Sequence, residues 1–183
     1  MSQAAVLFTY DDYLVLPENG KRHEIIDGEL LMTPAPSPEH QRLLGRLYTV
    51  LEAVVRENDL GTVLFAPVDV VLSMTDIVQP DLVFITRERN NIVTKKNVVA
   101  APDLVVEILS ESTEKTDRVH KKMLYERYGV REYWIVDPEQ RSVEVYNNDA
   151  NLLKMTSTFK GKDNVRSALI PQLSFPVSSL FGS

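Results

Sequence analysis

The sequence contains no cysteine and no run of about 18 apolar residues among its 183 positions. Without cysteine, a disulfide framework, a thiolate metal site and a cysteine nucleophile are all excluded. No segment has the length and apolar character of a transmembrane helix. The N-terminus lacks the basic segment and apolar stretch of a secretory signal. We therefore expect a single domain over residues 1–183, located in the cytoplasm and without a membrane partner.

The sequence also lacks an excess of positive charge, since its net charge is −6. The charge is unevenly distributed along the chain. Between Arg87 and Arg131, ten Lys and Arg stand against seven Asp and Glu, so this segment carries +3 and the remainder −9. The pattern is compatible with a patch that faces phosphate groups and equally with solvated loop and helix surfaces.

Turn and capping residues divide the first half of the chain. Thr9 is a capping candidate for a short helix from Tyr10 to Leu16. The pair Asp27-Gly28 within RHEIIDGELLM is typical of a β-hairpin turn. Ser37 and Pro38 are suited to the N-cap and first position of a long helix. Apolar residues at helical spacing predict its buried face: Leu43, Leu44, Leu47, Leu51, Val54 and Val55.

After Gly61 the pattern changes to apolar segments that predict strands: TVLFAPVDVVLS, VQPDLVFIT, PDLVVEIL and REYWIVD. A second helix is expected from Thr116 to about Tyr128, with Gly129 ending it. The segments SVEVYN, LLKMTSTF and VRSALI predict antiparallel strands at the C-terminal end. This order predicts an α/β protein whose mixed sheet is flanked by helices, with an N-terminal hairpin, rather than a doubly wound repeat.

Two acids interrupt these apolar strands: Asp81 in QPDLVFI and Glu107 in APDLVVEILS. A buried carboxylate needs a compensating partner. Asp103 shares a strand face with Glu107, but four residues separate their Cα atoms by roughly 13 Å. That distance is too long for one metal ion to bridge. We therefore pair Glu107 with Asp81 and assign Asp103 a structural role at the start of its strand.

Two neighbouring carboxylates repel each other unless a cation lies between them. Oxygen ligands suit Mg²⁺ or Mn²⁺, so Asp81 and Glu107 predict a site for one of these ions. The alternative is a pair of acids at strand ends, half-exposed or paired with arginine.

A lysine two residues beyond Glu107 would share its strand face and point at a metal-bound water, but that position is Leu109. A lysine that serves this site must therefore come from another segment. On the following helix, a spacing of 100° per residue places Lys121 on the apolar side, together with Leu124. The same spacing places Lys122 on the charged side. Helical periodicity therefore favours Lys121 for a buried role. The alternative is a lysine whose stem covers the core while its ammonium reaches solvent.

These features resemble the PD-(D/E)xK nuclease superfamily, and in particular its Uma2 branch of restriction-endonuclease-like proteins. The stretches that carry the resemblance are HEIIDGELLM, SPEHQRLLGRL, QPDLVFI, PDLVVEILSEST, DRVHKKMLYERYGVREYWIVDP and IPQLSFPVSSLF. The resemblance implies a mixed core sheet of four or five strands and Mg²⁺-dependent hydrolysis of phosphodiester bonds in nucleic acid, with DNA favoured. By analogy it also implies a homodimer.

The resemblance assigns a role to individual residues. Asp81 matches the motif aspartate, Glu107 the motif glutamate and Lys121 a motif lysine displaced to the helix, and Glu24 matches an acid that supports the site. Further expectations are a carbonyl ligand from Ile108 and supporting roles for His40, Asp117 and Tyr125. Two alternatives concern single residues: Glu24 could form a cross-strand ion pair, and His40 could be a hydrogen-bonded structural residue.

Two other functions are compatible with the same residues. The first is a degenerate nuclease fold that binds nucleic acid or protein without cutting, which the acidic composition favours. The second is an unrelated metal-dependent hydrolase of a small phosphate ester.

Overall fold

The computed structural model describes residues 6–17 and 21–182. Its α-helices are α1 (Tyr10–Tyr13), α2 (Pro38–Glu57), α3 (Lys122–Arg127) and α4 (Ser178–Phe181), with a 3-10 segment at Arg87–Ile92 and a π-helical turn at Thr116–Lys121. The strands are β1 (Arg22–Ile26), β2 (Glu29–Thr33), β3 (Gly61–Phe65), β4 (Val70–Ser73), β5 (Asp76–Val78), β6 (Leu82–Thr86), β7 (Val98–Val99), β8 (Leu104–Ile108), β9 (Glu132–Asp137), β10 (Ser142–Asp149), β11 (Leu152–Lys160), β12 (Asn164–Arg166) and β13 (Ser174–Pro176). None of the described helices is both long enough and apolar enough to cross a membrane.

The strands form a six-stranded sheet in the order β11-β10-β9-β8-β6-β3 and a five-stranded sheet in the order β2-β1-β5-β4-β7. Strands β12 and β13 pair separately. Strands β8 and β9 are parallel, whereas their other neighbours are antiparallel. This confirms the predicted mixed α/β class, although the larger sheet has six strands rather than four or five.

Two apolar segments that were predicted as single strands each contribute to both sheets. TVLFAPVDVVLS divides into β3 and β4, and VQPDLVFIT divides into β5 and β6. Each division contains a proline, Pro67 or Pro80, which cannot donate to a strand ladder. The second division leaves Asp81 immediately before β6.

The predicted hairpin is present, and its turn residues explain the register. Asp27 and Gly28 have φ angles of 51° and 77°, as a two-residue hairpin turn requires. Strands β1 and β2 pair from Ile26↔Glu29 to Arg22↔Thr33. Glu24 therefore lies opposite Leu31, which excludes a cross-strand ion pair at this position.

Helix α2 begins as predicted: the Ser37 hydroxyl accepts a hydrogen bond from the N–H of His40, and Pro38 occupies the first turn. Its apolar stripe packs on the larger sheet, with all members buried except the half-buried Val54. The shorter helix α1 ends at Tyr13 rather than Leu16. Its capping box joins the predicted cap, Thr9, to Asp12.

The larger sheet has an apolar core on each face, and the alternation along β8 shows which face each residue meets. Leu104, Val106 and Ile108 face the core beneath α2. Val105 and Leu109 face the second core, which contains Tyr125 and Tyr133. Since side chains alternate along a strand, Glu107 points toward this second face.

The second predicted helix begins and ends as expected but is not α-helical throughout. Residues Thr116–Lys121 form a π-helical turn before α3 begins at Lys122. Gly129 follows with φ +74°, the left-handed conformation typical of a helix end. A spacing of 100° per residue is therefore only approximate near Lys121, because a π turn contains more residues than an α turn.

Candidate active site

A cavity of about 1040 Å³ opens between the hairpin, the start of α2, the end of β8 and the π-helical turn. Of the residues predicted for the site, seven line it: Glu24, His40, Asp81, Glu107, Ile108, Asp117 and Lys121. Tyr125 lies behind the cavity wall, where its hydroxyl donates a 2.7 Å hydrogen bond to Oε1 of Glu107. The fold thus brings together residues that lie up to 101 positions apart in the sequence, from Glu24 to Tyr125.

The register of β6 and β8 places Asp81 beside Glu107, as expected. Leu82 pairs with Val106, and the N–H of Ile108 donates a 2.8 Å hydrogen bond to Oδ2 of Asp81. His40 Nε2 lies 3.0 Å from the same oxygen, and Arg22 donates to Oδ1 at 3.1 Å. Burial opposes the ionisation of Asp81, but His40 and the N–H of Ile108 outweigh burial and lower its pKa.

Lys121 lies at the centre of three other carboxylates. Its Nζ is 3.0 Å from Oε1 of Glu24, 3.1 Å from Oε1 of Glu107 and 3.4 Å from Oδ1 of Asp117. All four side chains are buried. One cation therefore faces three acids in a region that water barely reaches.

Burial and the excess of acids over cations shift the pKa values of both Glu107 and Lys121. Burial raises the pKa of Glu107 well above its ordinary value, and the nearby acids Asp117, Asp81 and Glu24 add to this effect against the attraction of Lys121. Burial also disfavours the ammonium of Lys121, but the carboxylates outweigh it and raise the pKa of Lys121 well above its ordinary value. A raised pKa favours the protonated ammonium of Lys121, which does not suit a general base.

The two candidate lysines occupy different environments. Only 6% of the Lys121 side chain is exposed, so its ammonium does not reach solvent in the manner of a surface lysine. Lys122 is half-buried rather than solvent-facing, because it pairs with Glu126 and lies over the ring of Tyr146. Helical spacing therefore identified the lysine that lies in the cavity.

Glu24 is held in place by Gln79, which directly follows strand β5. The N–H of Gln79 donates a 2.7 Å hydrogen bond to Oε1 of Glu24. The side-chain amide of Gln79 donates in turn to Oδ1 of Asp69, which also accepts from the hydroxyl of Tyr13. A hydrogen-bond network thus connects helix α1 to the cavity.

Three buried side-chain atoms of the described residues have no hydrogen-bond partner: Nδ1 of His40, Oε1 of Gln79 and Oδ1 of Asp117. All three belong to residues that line this cavity. Buried polar atoms in folded proteins are nearly always paired. Their concentration at one cavity indicates hydrogen-bonding capacity that a bound ligand or water would use.

The cavity offers mainly oxygen donors to a divalent cation. Within residues 6–17 and 21–182, no group of three or more Asp, Glu or His side chains has the arrangement of a metal site. The predicted set is smaller, since it consists of Asp81, Glu107 and the carbonyl of Ile108. Oxygen donors suit Mg²⁺ or Mn²⁺. Oδ1 of Asp117, which has no hydrogen-bond partner, and the excess of buried acids both match a missing positive charge. The residues therefore fit a divalent cation by charge and donor type.

Arg22 and Gln79 are two cavity residues that sequence reasoning missed. Both line the cavity and contact a predicted acid. A signal was available for Arg22, because it lies two positions before Glu24 in the same strand, and such residues share a face. Gln79 lies between two strands, so alternation along a strand does not predict its position.

Most cations of the positively charged segment pair with carboxylates of the chain. Seven of its ten cations make ion pairs with carboxylates of the chain: Arg87, Arg89, Arg118, Lys121, Lys122, Arg127 and Arg131. Arg118 alone contacts three acids, Glu114, Asp137 and Glu144. Most of the segment's positive charge is thus shared with nearby acids, several of them on the surface. Asp103 has the predicted structural role, since it joins Arg89 to Arg131.

Comparison with known proteins supports this assignment of the fold. The family model Uma2, described as "Putative restriction endonuclease", matches residues 10–178. A solved structure, described as a putative nuclease belonging to DUF820 from Anabaena variabilis, superposes with a TM-score of 0.79. It is 22% identical and the match covers 95% of this chain and 97% of the other. No curated protein matches the chain.

Proposed function

This chain belongs to the Uma2 family of restriction-endonuclease-like proteins, and from that premise we propose that it is a metal-dependent nuclease that hydrolyses phosphodiester bonds of DNA. The observation that carries the proposal is the buried group around Lys121, in which carboxylates outnumber cations. A structural ion cluster would be expected to balance its charges, because buried uncompensated charge is costly.

The carboxylates of Asp81 and Glu107 and the carbonyl of Ile108 would hold the cation, Mg²⁺ or Mn²⁺. Such a cation, when bound, supplies a water of lowered pKa and offsets negative charge on the phosphate. Lys121 acts as a fixed positive charge that orients the attacking water or stabilises charge developing on the phosphate oxygens. Glu24 and Asp117 hold the Lys121 ammonium, and Tyr125 holds the carboxylate of Glu107.

His40 contributes through Asp81. Its Nε2 contacts Oδ2 of Asp81, and together with the N–H of Ile108 it fixes the orientation of that carboxylate. This is a positioning role, in agreement with the structural interpretation of this histidine.

Two further proposals concern the assembly and the location of the protein. A homodimer would present two sites related by a two-fold axis, which suits the cutting of two DNA strands. Light scattering that gives a monomer at micromolar concentration would count against it. The expected cytoplasmic location is also a proposal.

Cleavage of supercoiled plasmid with Mg²⁺ or Mn²⁺, compared with the same reaction in a chelator, tests the proposed function. We expect cation-dependent nicking or linearisation that Glu107→Gln abolishes. Absence of cleavage combined with cation-independent DNA binding would favour the non-catalytic alternative. Turnover of small phosphate esters without cleavage of DNA or RNA would favour the small-ester hydrolase.

A further inference from the structure

The cavity presents a difficulty for an anionic substrate, because nine of the residues lining it are Asp or Glu. Only two lining residues are Lys or Arg, namely Arg22 and Lys121. A phosphodiester carries negative charge and is bound in proteins chiefly by such cations. Apart from the metal ion proposed above, only these two side chains could supply positive charge to the substrate phosphate from the cavity lining.

Lys121 adds little to the initial attraction of a phosphate, although it can stabilise charge that develops in the transition state. Three carboxylates lie within 3.4 Å of its Nζ, and only 6% of its side chain is exposed. An ammonium has three donor hydrogens. Lys121 donates a hydrogen bond to Glu107 and forms ion pairs with Glu24 and Asp117, so three carboxylates already share its charge.

Arg22, unlike Lys121, is contacted by only one acid among the described residues. Its NH1 donates one hydrogen bond, to Oδ1 of Asp81 at 3.1 Å, and no other bond from its guanidinium exists among residues 6–17 and 21–182. A guanidinium has five donors in one plane, so NH2 and Nε keep theirs. The side chain is 19% exposed and lines the cavity.

The position of Arg22 across the sheet supports the same assignment. The sheet order β9-β8-β6 places Asp81, before β6, on one side of Glu107 and Asp137, at the end of β9, on the other. Arg22 contacts Asp81 and so lies on the β6 side. The segments after β8 and β9 contribute five of the lining acids: Glu111, Glu114, Asp117, Asp137 and Glu139. More than half of the nine lining acids therefore come from segments other than those that hold Arg22 and Asp81.

We propose that Arg22 binds the substrate phosphate, donating from NH2 and Nε to a non-bridging oxygen of the phosphodiester while NH1 remains on Asp81. This inference rests on the proposed nuclease function. Arginine suits the role because its planar fork matches phosphate geometry. The contact positions the phosphate beside the acid pair, Asp81 and Glu107.

The test measures binding rather than cleavage. A short fluorescein-labelled DNA duplex with phosphorothioate linkages, which resist hydrolysis, is titrated in Mg²⁺ over a series of salt concentrations and followed by fluorescence anisotropy. Arg22→Met should weaken binding about tenfold and reduce the slope of log Kd against log salt by about one, as expected for a lost phosphate contact. Arg127→Met is the matched control, because Arg127 also pairs with an aspartate, Asp27, but does not line the cavity.

Wild-type Kd and slope in Arg22→Met would overturn the assignment. If Arg22→Met does not fold, Arg22→Lys takes its place: weaker duplex binding supports the forked contact, and wild-type affinity overturns it. Calorimetry with inorganic phosphate distinguishes failure of the nuclease proposal from failure of the role proposed for Arg22. A wild-type protein that binds neither duplex nor phosphate contradicts the nuclease proposal itself, whereas binding that is unchanged by Arg22→Met contradicts only the role of Arg22.

Discussion

Strand β8 has a buried carboxylate near each end, and the two are satisfied in different ways. Asp103, just before the strand, is fully buried and accepts hydrogen bonds from the N–H of Thr86 at 2.9 Å and from Arg89 at 2.9 Å. Arg131 is a further partner at 3.3 Å. Burial alone would raise the pKa of Asp103, but Thr86 and Arg89 outweigh it and keep the pKa below its ordinary value.

Glu107, four residues later, has Lys121 and Tyr125 as partners, but the lysine is shared with Glu24 and Asp117. Its pKa is raised well above the ordinary value, first by burial and then by the neighbouring acids. Cations outnumber the carboxylate at one end of the strand, and carboxylates outnumber the cation at the other. A balanced cluster stabilises the fold, whereas an unbalanced one retains capacity for a ligand.

The largest expected effect is at the cation of the unbalanced cluster. Lys121→Ala should reduce Mg²⁺-dependent cleavage by about 100-fold or more, the typical loss when a transition-state contact is removed. Lys122→Ala should change the rate only slightly, since Lys122 pairs with Glu126 outside the cavity. Plasmid cleavage by both variants, compared at equal thermal stability, checks this. An inactive Lys122→Ala beside an active Lys121→Ala would reverse the assignment.

The balanced end of the strand should respond in stability. Asp103→Asn removes the charge that Arg89 and Arg131 share, so the free energy of unfolding should fall by about 1–3 kcal/mol. The half-exposed arginines can recover water, which keeps the loss moderate. Urea unfolding measures it, and cleavage activity per folded molecule should remain at the wild-type level. A stable but inactive variant would place Asp103 in the catalytic machinery.

The corresponding substitution at Glu107 should not destabilise the protein as Asp103→Asn does. Glu107→Gln removes a buried charge that lacks full compensation, while its amide oxygen can still accept from Tyr125 and Lys121. The free energy of unfolding should therefore stay within about 1 kcal/mol of wild type or increase, and cleavage should be lost. Destabilisation equal to that of Asp103→Asn would mean that the two ends of the strand are alike.

The smallest expected effect is the pH dependence of the contributions that Asp103 and Glu107 make to stability. The folded-state pKa of Asp103 is lowered from 3.8, so its contribution is present above that value and is lost as the pH falls through the folded-state pKa. The folded-state pKa of Glu107 is raised above 4.5, so its contribution is present below that value and is lost as the pH rises through the folded-state pKa. Unfolding from about pH 4 to 8 should show Glu107→Gln gaining on wild type as the pH rises. A gain on acidification would contradict the raised pKa.

Local signals in the sequence predicted the parts of the fold that depend on neighbouring residues. The Asp27-Gly28 turn and the Ser37-Pro38 helix start form as expected, because each is determined by backbone geometry within a few residues. The need of Asp81 and Glu107 for partners was also predictable, because both are acids in apolar surroundings. Their partners differ, since Arg22 and His40 contact Asp81 whereas Lys121 and Tyr125 contact Glu107.

Features that depend on distant residues were not predictable in the same way. Glu24 and Glu107 share Lys121 only because the hairpin, β8 and the π-helical turn meet in the folded chain. The π-helical turn leaves no simple periodicity in the sequence. The division of VQPDLVFIT between two sheets likewise depends on which neighbours each half pairs with.

Anomalous scattering from a crystal soaked in Mn²⁺ tests the central claim most directly. The claim is that the cavity's excess of carboxylates is compensated by a divalent cation. We predict one strong manganese peak with ligands from the carboxylates of Asp81 and Glu107, at the Mn–O distances of about 2–2.5 Å usual for oxygen ligands, and its absence in a soaked crystal of Glu107→Gln. A cavity without manganese, in a crystal where Lys121 keeps its three carboxylate partners, would contradict the account.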